Sequence, residues 1–195
     1  MKLVIREYLA SLRERGELDA VLPDLLTELG FTVYSRPGRG TRQYGVDVAA
    51  VGEGQDGVRR VHLFSVKSGD LDRTEWNTAS PQSLRPSLDE ILDHYVCSRI
   101  PPEYSDLPVA ICLTFGGAIK EEVRAEVTGY MTRNSSDRIT FEEWNGDRLA
   151  EVVLQGILRE DLFLGAMRGH LRKSVAMVEQ PDVSLEHFGR LLRAV

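Results

Sequence analysis

Two stretches, Tyr44-Gly45-Val46-Asp47-Val48 and Leu63-Phe64-Ser65-Val66-Lys67-Ser68-Gly69, carry the pattern that decides the fold. Side chains alternate sides along a β-strand. Val61, Leu63, Ser65 and Lys67 therefore share one strand face, and on the earlier stretch Val46 and Val48 lie on one face and Asp47 on the other. Residues 52–57, Gly-Glu-Gly-Gln-Asp-Gly, predict a hairpin between the strands. Pairing across it would bring Asp47 and Lys67 onto one face, an arrangement suited to metal-assisted cleavage of phosphodiesters.

Composition limits the class of protein. The chain has 195 residues, 42% of them hydrophobic, which is enough for one good core and a small helical extension. The net charge of −6 argues against a protein that coats nucleic acid by charge alone. No apolar run reaches the length of a signal peptide or a membrane span. These features predict a soluble, cytoplasmic protein with no membrane partner.

The cysteines and histidines offer no spaced metal-ligand motif. Cys97 and Cys112 are bracketed by apolar residues, which predicts buried free thiols in a reducing compartment. None of the histidines has a ligand partner at a suitable spacing, so core or surface roles are predicted for His62, His94, His170 and His187.

A basic loop precedes Asp47. Residues 35–42 contain Arg36, Arg39 and Arg42 between glycines and a proline. At the mouth of a site around Asp47, these arginines could neutralise phosphates of a bound nucleic acid. An ordinary solvated loop explains the same residues equally well.

The remaining pattern predicts helices alternating with strands. Apolar residues at helical spacing predict helices over 3–12, 18–29, 81–97 and 118–133, and apolar runs predict strands over 31–35, 107–115 and 138–144. Residues 70–80 read as a polar loop that carries Trp76, and Asp147 is a candidate cap for a helix after residue 146. This order indicates an α/β protein with a mixed β-sheet flanked by helices.

Over residues 17–115 the chain resembles the PD-(D/E)XK nuclease superfamily and, within it, the Mrr-like restriction endonuclease branch. Gly45-Val46-Asp47 is similar to the branch's glycine-apolar-aspartate motif, and Ser65-Val66-Lys67 to the end of its next strand. Asp19 corresponds to the acidic residue of its first helix. The resemblance implies a restriction-endonuclease-like domain over residues 1–156, with core order αβββαβ, and a C-terminal helical extension over 157–195 that could begin a further region.

Ser65 departs from this pattern, because the superfamily usually has an acidic residue or glutamine there. The resemblance implies Mg²⁺ or Mn²⁺ as cofactor, and such hard cations prefer carboxylate, carbonyl and water oxygens. Three outcomes stay open. One metal could bind through Asp47, the Val66 carbonyl and water; Asp19 could be recruited as a further ligand; or catalysis could be lost, with Ser65 only facing the site.

The function that the resemblance implies is endonucleolytic hydrolysis of DNA, expected to be double-stranded, with Asp47, Lys67, Asp19 and Ser65 as candidate catalytic residues. It also makes the chain a candidate effector domain of a bacterial restriction or anti-phage defence protein, with further domains or a homo-oligomer as its context. The alternative is a nuclease-like module that binds DNA or a protein without cutting.

Overall fold

The strands form one mixed sheet in a computed structural model that describes residues 2–38, 43–77, 83–156 and 165–193. In those residues the strands are β1 (Thr32–Ser35), β2 (Val48–Glu53), β3 (Arg59–Lys67), β4 (Val109–Phe115) and β5 (Ile139–Trp144). Their spatial order follows the chain order. The pairs β1–β2 and β2–β3 are antiparallel, whereas β3–β4 and β4–β5 are parallel. The predicted α/β class with a mixed sheet flanked by helices is confirmed.

Helices cover both faces of this sheet. They are α1 (Lys2–Ser11), α2 (Asp19–Glu28), α3 (Arg73–Trp76), α4 (Leu84–Glu90), α5 (Val96–Ser98), α6 (Glu121–Asn134), α7 (Gly146–Gln155), α8 (Gly165–Ala176) and α9 (Pro181–Leu192). Apart from the short helices α3 and α5, the elements from α2 to β4 follow the order αβββαβ. α8 and α9 lie within the predicted C-terminal helical extension, of which residues 157–164 and 194–195 are outside the described residues.

Two apolar layers sandwich the sheet, because successive strand residues face opposite sides. The first layer joins Leu63 of β3 and Ile111 of β4 to residues of α4 and α6. The second layer joins Phe64 and Cys112, the next residues along the same strands, to residues of α1, α2 and α7. Every residue of β4 is buried, as expected for a central parallel strand covered on both faces.

The hairpin between β2 and β3 sets the register that matters for the site. It is confirmed by the antiparallel pairing of Val48 with Phe64 and by a turn in which the Gly57 N–H donates to the Gly54 carbonyl at 3.0 Å. The regular register ends at the Val48–Phe64 pair, and the preceding residue, Asp47, bonds to the same partner, with its N–H donating to the Phe64 carbonyl at 2.8 Å. Asp47 is therefore held by β3 at the point where the regular ladder stops.

The chain turns just before β2. Tyr44 and Gly45 both have positive φ values, 52° and 78°, and β2 begins only at Val48. The prediction that Val46 shares a face with Val48 is wrong, because Val46 precedes the regular strand and packs in the first layer while Val48 packs in the second.

Three further local predictions are corrected by the structure. Trp76 belongs to α3, not to a polar loop, and it is buried with its ring edge-on to Tyr130 at 5.5 Å. Cys97 is exposed, because the preceding residues Tyr95 and Val96 occupy the core-facing positions of the helical segment, whereas Cys112 is buried as predicted. The cap of α7 is Asn145, whose side chain accepts from the Arg148 N–H at 3.0 Å; Asp147 lies inside the helix.

Replacing Gly45 by alanine should destabilise the protein by more than about 2 kcal/mol, since a Cβ there would lie 2.0 Å from the Ser87 carbonyl oxygen on a residue with φ of +78°. Gly57→Ala is the matched control. Gly57 has a similar φ of +73° but nothing within 4 Å of its Cβ position, so only the backbone cost of about 1–2 kcal/mol applies. Urea unfolding of both variants measures the difference, and equal losses would contradict the close approach at Gly45.

Candidate functional site

Asp47 stands at the point where β2 begins, and its side chain binds the backbone of β3. Its N–H donates to the Phe64 carbonyl at 2.8 Å, and its Oδ2 accepts from the Val66 N–H at 2.7 Å. The carboxylate therefore extends the β2–β3 ladder by one bond. Since the N–H and C=O of one strand residue point to the same side, the Val66 carbonyl also faces the edge where Asp47 lies.

Ser65 and Lys67 belong to β3 and lie beside Asp47. Both are almost completely buried, at 1% and 4% exposure. The Ser65 hydroxyl has no hydrogen-bond partner among the described residues. The Lys67 ammonium instead forms an ion pair, with its Nζ 3.3 Å from Oε2 of Glu14. The structure thus brings Asp47, Ser65 and Lys67 together at the C-terminal end of β3.

Glu14 is a site residue that the sequence analysis missed. It lies in a wide turn between α1 and α2, in which the Leu18 N–H donates to the Arg13 carbonyl, five residues back. The turn reverses through Gly16, at φ of +81°. Residues 13–19 contain three acids within seven positions, and nothing in their spacing selects Glu14. The glycine in a helical pattern is the one feature that indicates a turn there.

Asp19 has a structural partner of its own. Its Oδ1 accepts from the Gly16 N–H at 2.6 Å, which holds the turn that presents Glu14. Its charge is close enough to raise the pKa of Asp47. Asp19 therefore lies near the site and shapes it, while its carboxylate is engaged by the turn.

The charge of Asp47 is destabilised by its surroundings. Burial raises the pKa of Asp47 to about 6, against the opposing effects of the Val66 N–H and the Lys67 ammonium; the charges of Glu14 and Asp19 raise it further. A nearby positive charge stabilises the ionised form of such a buried carboxylate. Three carboxylates face one buried ammonium here, so the centre carries a net charge of −2 (−3 + 1) when all four groups are ionised.

A basic rim borders this acidic centre. A cleft of about 400 Å³ beside the turn is lined by Arg15, Asp19 and Arg36 among others. Arg36 also forms an exposed ion pair with Asp24, at 3.1 Å between Nη1 and Oδ1. Arg39 and Arg42, the other predicted nucleic-acid contacts, lie outside the described residues.

The residues at the site fit a hard divalent cation with few protein ligands. Mg²⁺ commonly keeps several waters and binds through one or two carboxylates. Asp47 and the Val66 carbonyl supply two oxygens, and Ser65 adds a buried hydroxyl without a partner in the described chain. Glu14 holds Lys67 through Oε2 and Asp19 holds Gly16 through Oδ1, so each could add a carboxylate ligand through its other oxygen or by releasing that partner.

The described residues contain one group of three potential metal-ligating side chains within 4.8 Å of one another, and it lies elsewhere. It consists of His62, Cys112 and Glu142. His62 is fully buried, which is one of the two roles predicted for the histidines, but its neighbours Cys112 and Glu142 were not predicted. Sequence spacing could not find the group, because three different strands supply its members.

Comparisons with known proteins give one distant similarity. No protein-family model and no curated protein matched the chain. The chain is similar to the solved structure of the MspJI restriction endonuclease in complex with a 27-mer oligonucleotide, at 16% sequence identity and a TM-score of 0.33. The match covers 82% of this chain but only 30% of that one. No helix in the described ranges is long and apolar enough to cross a membrane.

Asp47→Asn should stabilise the protein at pH 8. An aspartate whose pKa is higher in the folded than in the unfolded state lowers the free energy of unfolding when it ionises. The effect is complete above the folded pKa of about 6 and absent below the unfolded value of 3.8. The gain from Asp47→Asn should be roughly 1–3 kcal/mol at pH 8 and should vanish near pH 3.5.

Urea unfolding at several pH values measures this gain, with Asp106→Asn as the control because Asp106 is exposed in a loop. A stability gain that does not depend on pH would contradict the assigned pKa of Asp47.

Proposed function

We propose that this chain is a divalent-metal-dependent endonuclease that hydrolyses DNA phosphodiester bonds, similar to the PD-(D/E)XK superfamily and its Mrr-like branch. The observation that carries the proposal is the convergence of Asp47 and the buried Lys67 ammonium at the end of β3, with Glu14 opposite. An acidic centre favours a divalent cation, and the basic rim with Arg15 and Arg36 favours the phosphates of a nucleic acid.

Asp47 and the Val66 carbonyl would hold Mg²⁺ or Mn²⁺, with Asp19 or Glu14 as a further ligand through the carboxylate oxygen that its present partner does not occupy, or after release of that partner. When bound, such an ion supplies Lewis acidity and lowers the pKa of a coordinated water. The bond from the Val66 N–H fixes the Asp47 carboxylate before substrate arrives, so little reorganisation is needed at the moment of reaction.

Lys67 would act on the phosphate. In hydrolysis, a water oxygen forms a bond to phosphorus, one P–O ester bond breaks, and negative charge builds on the non-bridging oxygens. The Lys67 ammonium, which is only 4% exposed, can offset this charge more strongly than a hydrated lysine, because few waters screen it. To contact a phosphate, the Lys67 ammonium must either release Glu14 or donate hydrogen bonds to Glu14 and the phosphate at the same time.

The biological setting that we propose is the effector domain of a bacterial restriction or anti-phage defence protein in the cytoplasm, acting on double-stranded DNA. Further domains of a longer chain or a homo-oligomer would then provide the recognition of target sequences. Arg36, Arg39 and Arg42 are the proposed phosphate contacts next to the site.

A second candidate function is a nuclease-like module that binds DNA or a protein without cutting. The observations in its favour are Ser65 at the usual acidic position and the Lys67–Glu14 ion pair. In such a module the ion pair replaces the metal, so the ammonium is neutralised permanently.

Cleavage of plasmid and single-stranded DNA with Mg²⁺, Mn²⁺ or EDTA separates these functions. We expect metal-dependent cleavage of the double-stranded substrate, reduced at least about 100-fold by Asp47→Ala and by Lys67→Ala. The exposed-loop variant Asp106→Asn should cleave at the wild-type rate. Cleavage by either site variant at the wild-type rate would refute the assignment, and DNA binding without cleavage by the wild type would favour the module.

Glu14→Gln should lower the cleavage rate by about 10-fold or more, since Lys67 would lose the carboxylate that orients it. Glu17→Gln is the matched control in the same turn. Glu17 accepts from the Arg13 N–H at 2.8 Å, and a glutamine oxygen can keep that bond. Equal losses in both variants would show that the shape of the turn matters and not the charge of Glu14.

A further inference from the structure

Three polar side chains interrupt the second apolar layer of the sheet. His62 of β3, Cys112 of β4 and Glu142 of β5 come from three adjacent strands. His62 and Cys112 are fully buried, and the Glu142 side chain is 20% exposed. A ring nitrogen, the thiol sulfur and a carboxylate oxygen of these residues all lie within 4.8 Å of one another.

The His62 ring is incompletely satisfied in this position. Its Nδ1 lies 3.9 Å from the Cys112 sulfur, a distance too long for a strong hydrogen bond. Its Nε2 is buried as well, with no partner of good geometry among the described residues. Nδ1, the nitrogen that faces the sulfur, is thus a buried polar atom without a strong bond, a state that costs stability and that an ion bound between nitrogen and sulfur would relieve.

Glu142, in contrast, is firmly oriented. Its Oε2 accepts from the Arg148 guanidinium at 2.8 Å and from the Trp144 indole N–H at 3.0 Å. Arg148 also stacks on the Trp144 ring, 4.1 Å from its centroid. Both bonds fall on the same oxygen, which is how outer partners hold a carboxylate whose other oxygen binds a metal.

We propose that His62, Cys112 and Glu142 form a Zn²⁺ site that stabilises the fold, independently of the proposed nuclease function. Nitrogen, sulfur and carboxylate oxygen are the donors that Zn²⁺ takes in proteins. Tetrahedral bonds of about 2.0 Å to nitrogen and 2.3 Å to sulfur place those two atoms about 3.6 Å apart, close to the 3.9 Å found here. Binding replaces the thiol S–H bond by a Zn–S bond and releases that proton to the buffer.

Two cavities border members of the group and offer space for a water as fourth ligand and for access of the ion. A cavity of about 170 Å³ is lined by His62, Trp144 and Arg148. A second one, of about 420 Å³, is lined by Glu142, Arg148 and Arg60. Asp56 accepts from both terminal nitrogens of Arg60 at 2.6 Å. The negative charge of Asp56 therefore offsets the positive charge of Arg60 and reduces its repulsion of the ion.

Titration of the intact chain with Co²⁺ tests the site, because a cobalt–thiolate bond gives a charge-transfer absorption that a carboxylate site does not. We expect a band that corresponds to one thiolate-bound Co²⁺ per chain, displacement of that Co²⁺ by Zn²⁺, and loss of the band in Cys112→Ser. Cys97→Ser, which changes the exposed cysteine, and Asp47→Asn should both keep the band. Zn²⁺ at about 100 times its Kd should raise the Tm by about 5–10 °C.

A wild-type chain that shows neither the band nor the rise in Tm would overturn the proposal, as would a band lost in Cys97→Ser and kept in Cys112→Ser. If Cys112→Ser does not fold, His62→Gln and Glu142→Gln test the site instead. His62→Gln should abolish the stabilisation by Zn²⁺, and Glu142→Gln should lower the affinity for Zn²⁺ at least about 10-fold. Unchanged Zn²⁺ affinity in both folded variants would also refute the site.

Discussion

The hydrogen bond from the Val66 N–H to the Asp47 carboxylate is the constraint on which the candidate active site depends. β3 continues to Lys67, but β2, which pairs with it, begins only at Val48. The Val66 N–H would therefore be a buried donor without a ladder partner, a costly state for a backbone group. The Asp47 side chain supplies that partner, and the same bond fixes the carboxylate next to Ser65 and Lys67.

The hydrogen bond to Val66 places the negative charge of Asp47 in a buried position with little water. The electrostatics of the site follow from this placement. Burial opposes the charge of Asp47, and the two nearby acids oppose it further. Lys67 reduces the cost but is itself held by Glu14 at 3.3 Å. The positive charge is thus divided between two carboxylates, so the group as a whole remains short of cations. A divalent ion would relieve this imbalance, which ties the stability of the apo site to its proposed activity.

The sequence was sufficient for those features that arise from local pattern. Alternation along residues 58–67 and the glycine-rich turn predicted the hairpin, and the order of elements predicted the mixed sheet. Long-range placement was not predictable in the same way. Glu14 reaches the site only because Gly16 turns the chain at positive φ, and Trp76 is buried only because a short helix docks it against Tyr130. Val46 was misassigned because a period of two holds only inside a regular strand.

β3 also explains why the two polar groups of this protein are chemically separate. The odd-numbered Ser65 and Lys67 face the first layer, and the even-numbered His62 faces the second. The oxygen ligands and the Lys67 ammonium gather at the C-terminal end of β3, beside the open end of β2 and the turn that carries Glu14. Nitrogen and sulfur donors gather on the second face under α7. These donors bind a softer ion more strongly than a hydrated hard cation. One strand, whose side chains alternate between its two faces, therefore carries two groups of different donor chemistry and keeps the two proposed ligand sets apart.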